Sequence, residues 1–519
     1  MYLKPNAPTA AAAGKTVIGF NVINGKEIEG DLGMIESRSA ADRRDLVGMF
    51  PDSGEKDVAR AAKAADDAFR AWSATPAPAR GAVIQRTGDI LAAHQAAFAR
   101  IITRETGKTP REAQDEVQEA IDTCRFSAAE GRRPQGWTLS SVLPGQGLTV
   151  HRRPAGVCGV LTTGTSPLAV PVRKLIPALL SGNTVVWKPS DDAPTIAYLL
   201  MQALMDAGLP PGVANTVNGR GRAGSGKHHI AGIGKGLYQA FSFTGSPALG
   251  RSIGELCGHH FLVPGLELGG RNPMVVLPDA DLDRAVQDAV RAAFGHGGQR
   301  GSSLANLILH EACAAEFKRR FLEAVAALDM GNPMTDPDVA YGPMINARLA
   351  EGFKAHWELG RRDGAALLCG GEAWTDGNRT ERVLGPIGHG HYMQPCVWDG
   401  VAPSMELFHK QVLGPTLNLV TVADVDEALA CVHAAPCGLS ASLYTEDRRC
   451  IERFRREARA EVLNLNTGGT GLRENGPWDL DWHTRWQTVH DEATPGPIQA
   501  IPAHAAKGKP RPLTDWTGL

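Results

Sequence analysis

Short apolar segments alternate with helix-length amphipathic ones through the middle of this 519-residue chain, and this constrains its fold more than any other feature. Val157 to Leu161 is strand-like and is followed by a helix-like run from Pro171 to Ser181. Thr184 to Trp187, a helical stretch from Thr195 to Ala207, a turn at Gly208 to Gly212 and a strand at Ala214 to Val217 come next. Parallel strands need a crossover of a dozen or so residues, usually a helix, so this order spells βαβ units. A second series opens with Met274 to Leu277 and a helix from Asp281 to Phe294, predicting two α/β lobes with a boundary near Val263. Upstream, apolar spacings of three and four predict helices over Asp57 to Trp72 and Arg80 to Glu105.

Charge and cysteine usage narrow the function classes. A net charge of -2 gives no electrostatic reason for nucleic acid or an anionic membrane to bind, which leaves a small molecule as the expected ligand. No run reaches the roughly 18 apolar residues of a membrane span, and the first 15 residues lack a signal-peptide pattern. Nine cysteines, odd in number and unclustered, read as reduced thiols of a cytoplasmic protein, and no CxxC or HxxxH spacing suggests a metal. Gly221 to Lys227 nearly spells a phosphate-binding P-loop, but His228 stands where the magnesium-holding hydroxyl belongs, so a flexible surface loop is expected.

Three segments in order resemble the aldehyde dehydrogenase superfamily: Arg153 to Val160 with Ala178 to Ser190, Phe241 to Gly250, and Glu267 to Pro273 continuing to Asp283. Weaker echoes occur at Glu105-Thr-Gly-Lys, Tyr341-Gly-Pro-Met, Gly414-Pro415 and Gly438 to Ser442, so the likeness runs from about Ile35 to Asn466. It implies two doubly wound parallel-sheet lobes, a bridging oligomerisation arm and NAD or NADP as cofactor. The implied layout is a tail (1–15), a cofactor lobe (16–135 and 153–263) split by the arm (136–152), a catalytic lobe (264–466), a C-terminal return to the arm (467–492) and a second tail (493–519).

Residue roles follow from the chemistry and from the resemblance together. Lys188 ends a buried strand, where it is either solvated or reaches ribose hydroxyls and phosphate beyond the sheet. Ser190 belongs to the same cofactor motif, and Asp191 falls where the family binds the adenosine ribose. Gly245 and Ser246 open a probable helix that includes Gly250, and free amides at such a start suit a pyrophosphate. Glu267, flanked by Leu266 and Leu268, is expected to have a raised pKa. The resemblance makes it the general base.

The departures fall on the reactive side. Where the family carries its nucleophilic cysteine this chain reads Gly298-Gln-Arg-Gly301-Ser-Ser, and glycine can attack nothing. Thr165 stands in for the oxyanion-binding asparagine, and Gln411 with Leu413 replaces the family's Glu-x-Phe clamp on the nicotinamide ribose. Cys313 is too far downstream to substitute. Trp478, Trp482 and Trp486 recur every fourth residue, as on one aromatic helix face used for packing or as a pocket wall. Two functions are therefore expected: an NAD(P)-dependent oxidoreductase for an aldehyde or related carbonyl, with Glu267 acting without a thiol, or a non-catalytic dinucleotide-binding partner subunit. A homodimer or homotetramer is expected in either case.

Overall fold

The structure, a computed structural model, describes residues 14–133, 136–142, 146–436, 438–468 and 477–492. Its first unit combines the described residues through Arg132 with Pro154–His483. Two seven-stranded sheets organise this unit. The first contains β1 (Asn21–Ile23), β2 (Lys26–Ile28), β3 (Val157–Leu161), β4 (Thr184–Lys188), β5 (Ala214–Thr216), β6 (Ala240–Gly245) and β7 (Pro264–Leu268), in the order β7-β6-β3-β4-β5-β1-β2. Its five-strand core is parallel, and β1 and β2 add antiparallel edges.

The second sheet contains β8 (Asn272–Val276), β9 (Leu304–His310), β10 (Ala366–Cys369), β11 (Cys396–Asp399), β12 (Thr416–Val422), β13 (Ser440–Tyr444) and β14 (Val462–Leu465). Their order is β10-β11-β12-β9-β8-β13-β14, with only β10 antiparallel to its neighbour. Strands β3, β4 and β8 are buried along their whole length, as parallel strands covered on both faces must be.

The crossover helices fall close to the expected positions. Helix α1 (Pro110–Glu130) precedes the arm, α2 (Ala169–Leu180) joins β3 to β4, α3 (Pro194–Asp206) follows β4, α4 (Pro247–His259) joins β6 to β7, and α5 (Leu282–Phe294) follows β8. Two expectations change. The helix expected over Arg80 to Glu105 is two helices, Ala77–Ala93 and Gln95–Thr106, broken where His94 turns to φ -116 and ψ 19. The boundary expected near Val263 moves downstream, because β7 pairs in parallel with β6 and so belongs to the first sheet. The chain passes to the second sheet at Gly269-Gly270-Arg271.

The second unit, Arg133–Arg153 with the chain from Thr484, holds a three-stranded sheet of Gly136–Ser140, Gln146–Pro154 and Thr484–Glu492. The segment expected as the arm lies in its first two strands, which pair antiparallel. Trp486 lies on the third strand and stacks on Trp137 at 4.5 Å, with the Arg152 guanidinium 4.7 Å above its ring. The single aromatic helix face expected of Trp478, Trp482 and Trp486 is therefore absent. Trp478 and Trp482 sit in a short 3₁₀ turn, Pro477–His483, and the chain then extends into a strand.

In the near P-loop, Arg222 and Ala223 are exposed, as expected of a surface loop, and Ser225 already begins a helix, Ser225–Gly234. Just before it, the Arg220 amide donates to the buried Asp52 carboxylate at 3.0 Å, and the Arg220 guanidinium pairs with the same group.

Fully buried Glu105 ties early and late parts of the first unit together. It accepts from Ser37 Oγ at 2.6 Å and from the Thr195 and Ile196 amides at 3.0 and 3.1 Å, at the start of α3. Burial pushes its pKa up, and these hydrogen bonds oppose that shift. Glu105→Ala strands two helix-start amides and should cost about 3 kcal/mol of unfolding free energy in urea titrations; a loss below about 0.5 kcal/mol would contradict this role.

Candidate active site

The carboxyl-terminal ends of β3, β4, β6 and β7 carry most of the expected site. Lys188 is the last residue of β4 and is only 2% exposed, with its ammonium 3.5 Å from the Asp191 carboxylate. Burial lowers its pKa, and Asp191 works against that. A buried cation beside one exposed carboxylate at the carboxyl end of a parallel sheet suits the hydroxyls and phosphate of a dinucleotide. Asp191 also accepts from the Gly221 amide at 3.4 Å. Ser190 is turned into its own loop, accepting from the Asp192 amide at 3.2 Å, and a side chain at Gly164 would press on its hydroxyl.

Ser246 is the N-cap of α4, its hydroxyl accepting from the Leu249 amide at 3.4 Å. The residue is exposed, so the helix start faces outward with its remaining amides, as a pyrophosphate site requires. Gly245 ends β6 beside it. Gly250 lets α4 lie close against β7, since any Cβ there would overlap the Leu268 side chain. These features together fit a dinucleotide.

Glu267, on β7, differs from expectation in its charge. Burial does favour the neutral acid, but the Lys174 ammonium 3.3 Å away, Arg173 and a 2.9 Å hydrogen bond from Thr244 Oγ1 outweigh it. The pKa is lowered to about 2 instead of raised. Lys174 was not anticipated as a site residue. It sits in α2 among apolar residues, fully buried, donating to Ser242 Oγ at 3.1 Å with its ammonium 5.2 Å from the Trp482 ring. Adjacent Arg173 and Lys174 inside an otherwise apolar helix were the available signal, since a buried charge requires a partner.

Gly269 is where the reactive positions meet. A Cβ built on Gly301 lies 3.2 Å from the Gly269 Cα, and one built on Gly269 would overlap the Gln411 side-chain amide. Gly269, two residues after Glu267, thus packs between Gly301 and Gln411, and Gln411 lines a cleft with Gly270, Arg300 and Ser303. Leu413 is half-buried in the same segment. The Gly301 carbonyl accepts from the Gly270 amide at 3.2 Å and from Asn272 Nδ2 at 3.0 Å. Thr165 is buried, and its hydroxyl lies 3.3 Å from that of Thr163.

The described cysteines are all free and buried or half-buried. Cys313 is buried against Val276 and His310 carbonyls, and burial pushes Cys124, Cys158 and Cys396 up to about 12. Cys437 lies outside the described residues.

The charge on Glu267 gives a pH prediction. Its folded pKa lies below the ordinary carboxylate value, so the stability it adds is complete above about pH 4.5 and is lost as pH falls towards 2. Lys174→Met removes the compensating charge and leaves burial unopposed by it. A carboxyl-specific infrared titration should then show Glu267 titrating well above 4.5. A value still near 2 would rule out Lys174 as the cause.

Residues 28–479 match the aldehyde dehydrogenase family. The chain is 32% identical over 465 residues to alpha-ketoglutaric semialdehyde dehydrogenase of Bacillus subtilis, covering 88% of this chain and 92% of that one. It is 33% identical over 463 residues to 2,5-dioxopentanoate dehydrogenase of Saccharolobus solfataricus, covering 87% and 92%. Among solved structures, an NAD-dependent aldehyde dehydrogenase from Sinorhizobium meliloti superposes with a TM-score of 0.86 at 26% identity, covering 96% of this chain and 99% of that one. Lactaldehyde dehydrogenase from Escherichia coli gives 0.84 at 26%, covering 92% and 100%. With its two largely parallel sheets, a family match over residues 28–479 and relatives about one-third identical over most of its length, this chain belongs to the aldehyde dehydrogenase family.

Proposed function

We propose that the protein is an NAD(P)-dependent dehydrogenase of small acidic aldehydes that works without a covalent enzyme intermediate. The observation that carries this reading is the Glu267 carboxylate, held 3.3 Å from the Lys174 ammonium and two residues before Gly269, which packs against Gly301. A bound nicotinamide supplies a hydride acceptor. Lys188, Asp191 and the amides at the start of α4 would hold the dinucleotide, with Gln411 available, without charge assistance, for its ribose.

Water adds to the aldehyde to give a gem-diol, which occupies the space a thiol would fill. Glu267 accepts a hydrogen bond from one hydroxyl of the diol. Glu267 is placed to take that O–H proton, so that loss of the C–H hydride to a bound nicotinamide would leave the carbon as a carboxylic acid. Thr165 and the backbone around Gly301 are left to support the developing charge. A missing oxyanion donor typically costs on the order of 10²- to 10³-fold in rate, so slow turnover is expected.

Two cations support an acidic substrate. Arg173 precedes Lys174 on α2 and pairs with Glu119 at 3.3 Å, and Arg300 precedes Gly301 and pairs with Glu112 at 3.4 Å. Both guanidinium groups keep some exposure, 16% and 25%. The Arg173 Nε has no hydrogen-bond partner among the described residues. The relatives named above are dehydrogenases, two of them for aldehyde or oxo acids, which favours this reading over a non-catalytic subunit. The three-stranded sheet of the second unit, with Trp137 and Leu139 about half exposed, supports association with a second copy.

NAD(P)H absorbance with a panel of short aldehydes tests the proposal. Glu267→Gln should lower kcat by at least about 100-fold, and Arg173→Leu should raise KM for acidic aldehydes more than for neutral ones of equal length. Turnover indifferent to Glu267→Gln would remove the base from the mechanism.

A further inference from the structure

We propose that the first three turns of α1 form a carboxylate ladder in which Glu112 and Glu116 are positioning residues, each fixing one of the two loops that build the reaction site. The inference rests on the dehydrogenase reading for its kinetic consequence, while its geometry stands apart from that reading. Glu112, Glu116 and Glu119 are spaced four and three apart and so share one helix face. Each meets a cation from a different element: Arg300, Lys108 and Arg173.

Glu116 holds the loop containing Thr165. Its Oε1 accepts from the Leu168 amide at 2.8 Å and the Ala169 amide at 3.2 Å, satisfying two donors at the start of α2. Its Oε2 pairs with the Lys108 ammonium, which lies 3.4 Å from Ser166 Oγ, next to Thr165. Glu116 and Lys108 side chains are 4% and 3% exposed, so water is a poor substitute for either.

Glu112 holds the loop that ends at Gly301. This loop contains three consecutive left-handed residues, His296, Gly297 and Gly298, at φ +53, +58 and +67. Histidine is disfavoured there, so the conformation needs an external hold. Glu112 Oε1 supplies it, accepting from the His296 amide at 2.6 Å and from Arg300 Nη2 at 3.4 Å. Its other oxygen accepts from the Thr109 amide and hydroxyl in a capping box, which fixes the orientation of the carboxylate. One helix thus sets the spacing between Thr165 and Gly301.

Peptide-resolved amide hydrogen exchange on the full chain tests this, together with kcat and dinucleotide affinity. Glu116→Ala should speed exchange in residues 162–169 by about tenfold or more, and Glu112→Ala should do so in residues 295–301, with the rest of the chain unchanged. Each should lower kcat by on the order of 10- to 100-fold while dinucleotide Kd stays within about twofold. Glu116→Gln keeps an acceptor for the two amides and should restore much of the protection. Unchanged exchange in both loops, or a uniform rise across the chain, would overturn the proposal. If native and Gly301→Cys chains both lack aldehyde turnover, the dehydrogenase reading falls, while the exchange pattern still decides the ladder.

Discussion

The buried ion pair between Lys174 and Glu267 is the interaction on which the site depends. A lysine with no exposed side chain is tolerable in α2 only because a carboxylate at the end of β7 meets it, with the Ser242 hydroxyl and the Trp482 ring completing its surroundings. The pair joins a crossover helix to an edge strand of the first sheet. It fixes the charge of Glu267 and brings that carboxylate to the Gly269-Gly270 passage between sheets. Past this passage the backbone meets Gly301, whose carbonyl is held by Gly270 and Asn272.

The loop leading to Gly301 is tightly held by its neighbours. Gly298 touches the Gly414 backbone closely enough that no side chain would fit, and Gln299 is locked by the His296 and Pro343 carbonyls and the Ile345 amide. Gly301 itself is outside the left-handed region, and a Cβ there meets only Gly269. The backbone would accept a cysteine with little adjustment.

Much of the fold was legible because buried parallel strands read as continuous apolar runs and their crossover helices are long enough to show period. Strands β3, β4 and β8 and helices α3 and α5 fall within a few residues of expectation. The lobe boundary was misplaced because β7 is short and only half-buried, so its pairing with β6 leaves no mark in the sequence. At the site, residue positions were legible and their electrostatics were not. The neighbours of Glu267 in sequence are leucines, whereas its neighbours in space are Lys174, Arg173 and Thr244, and these invert the expected pKa shift. The ladder on α1 was hidden for the same reason: Glu112 and Glu116 act across more than 50 residues of sequence.

The central claim, oxidation without a bond between enzyme and substrate, is tested most directly by intact mass measurement of the chain quenched during turnover with NAD(P)+ and an acidic aldehyde. The account predicts that the native chain keeps its unmodified mass while NAD(P)H accumulates, and that Gly301→Cys gains the mass of the acyl group. An acyl adduct on the native chain, on Ser302 or any other residue, would contradict it.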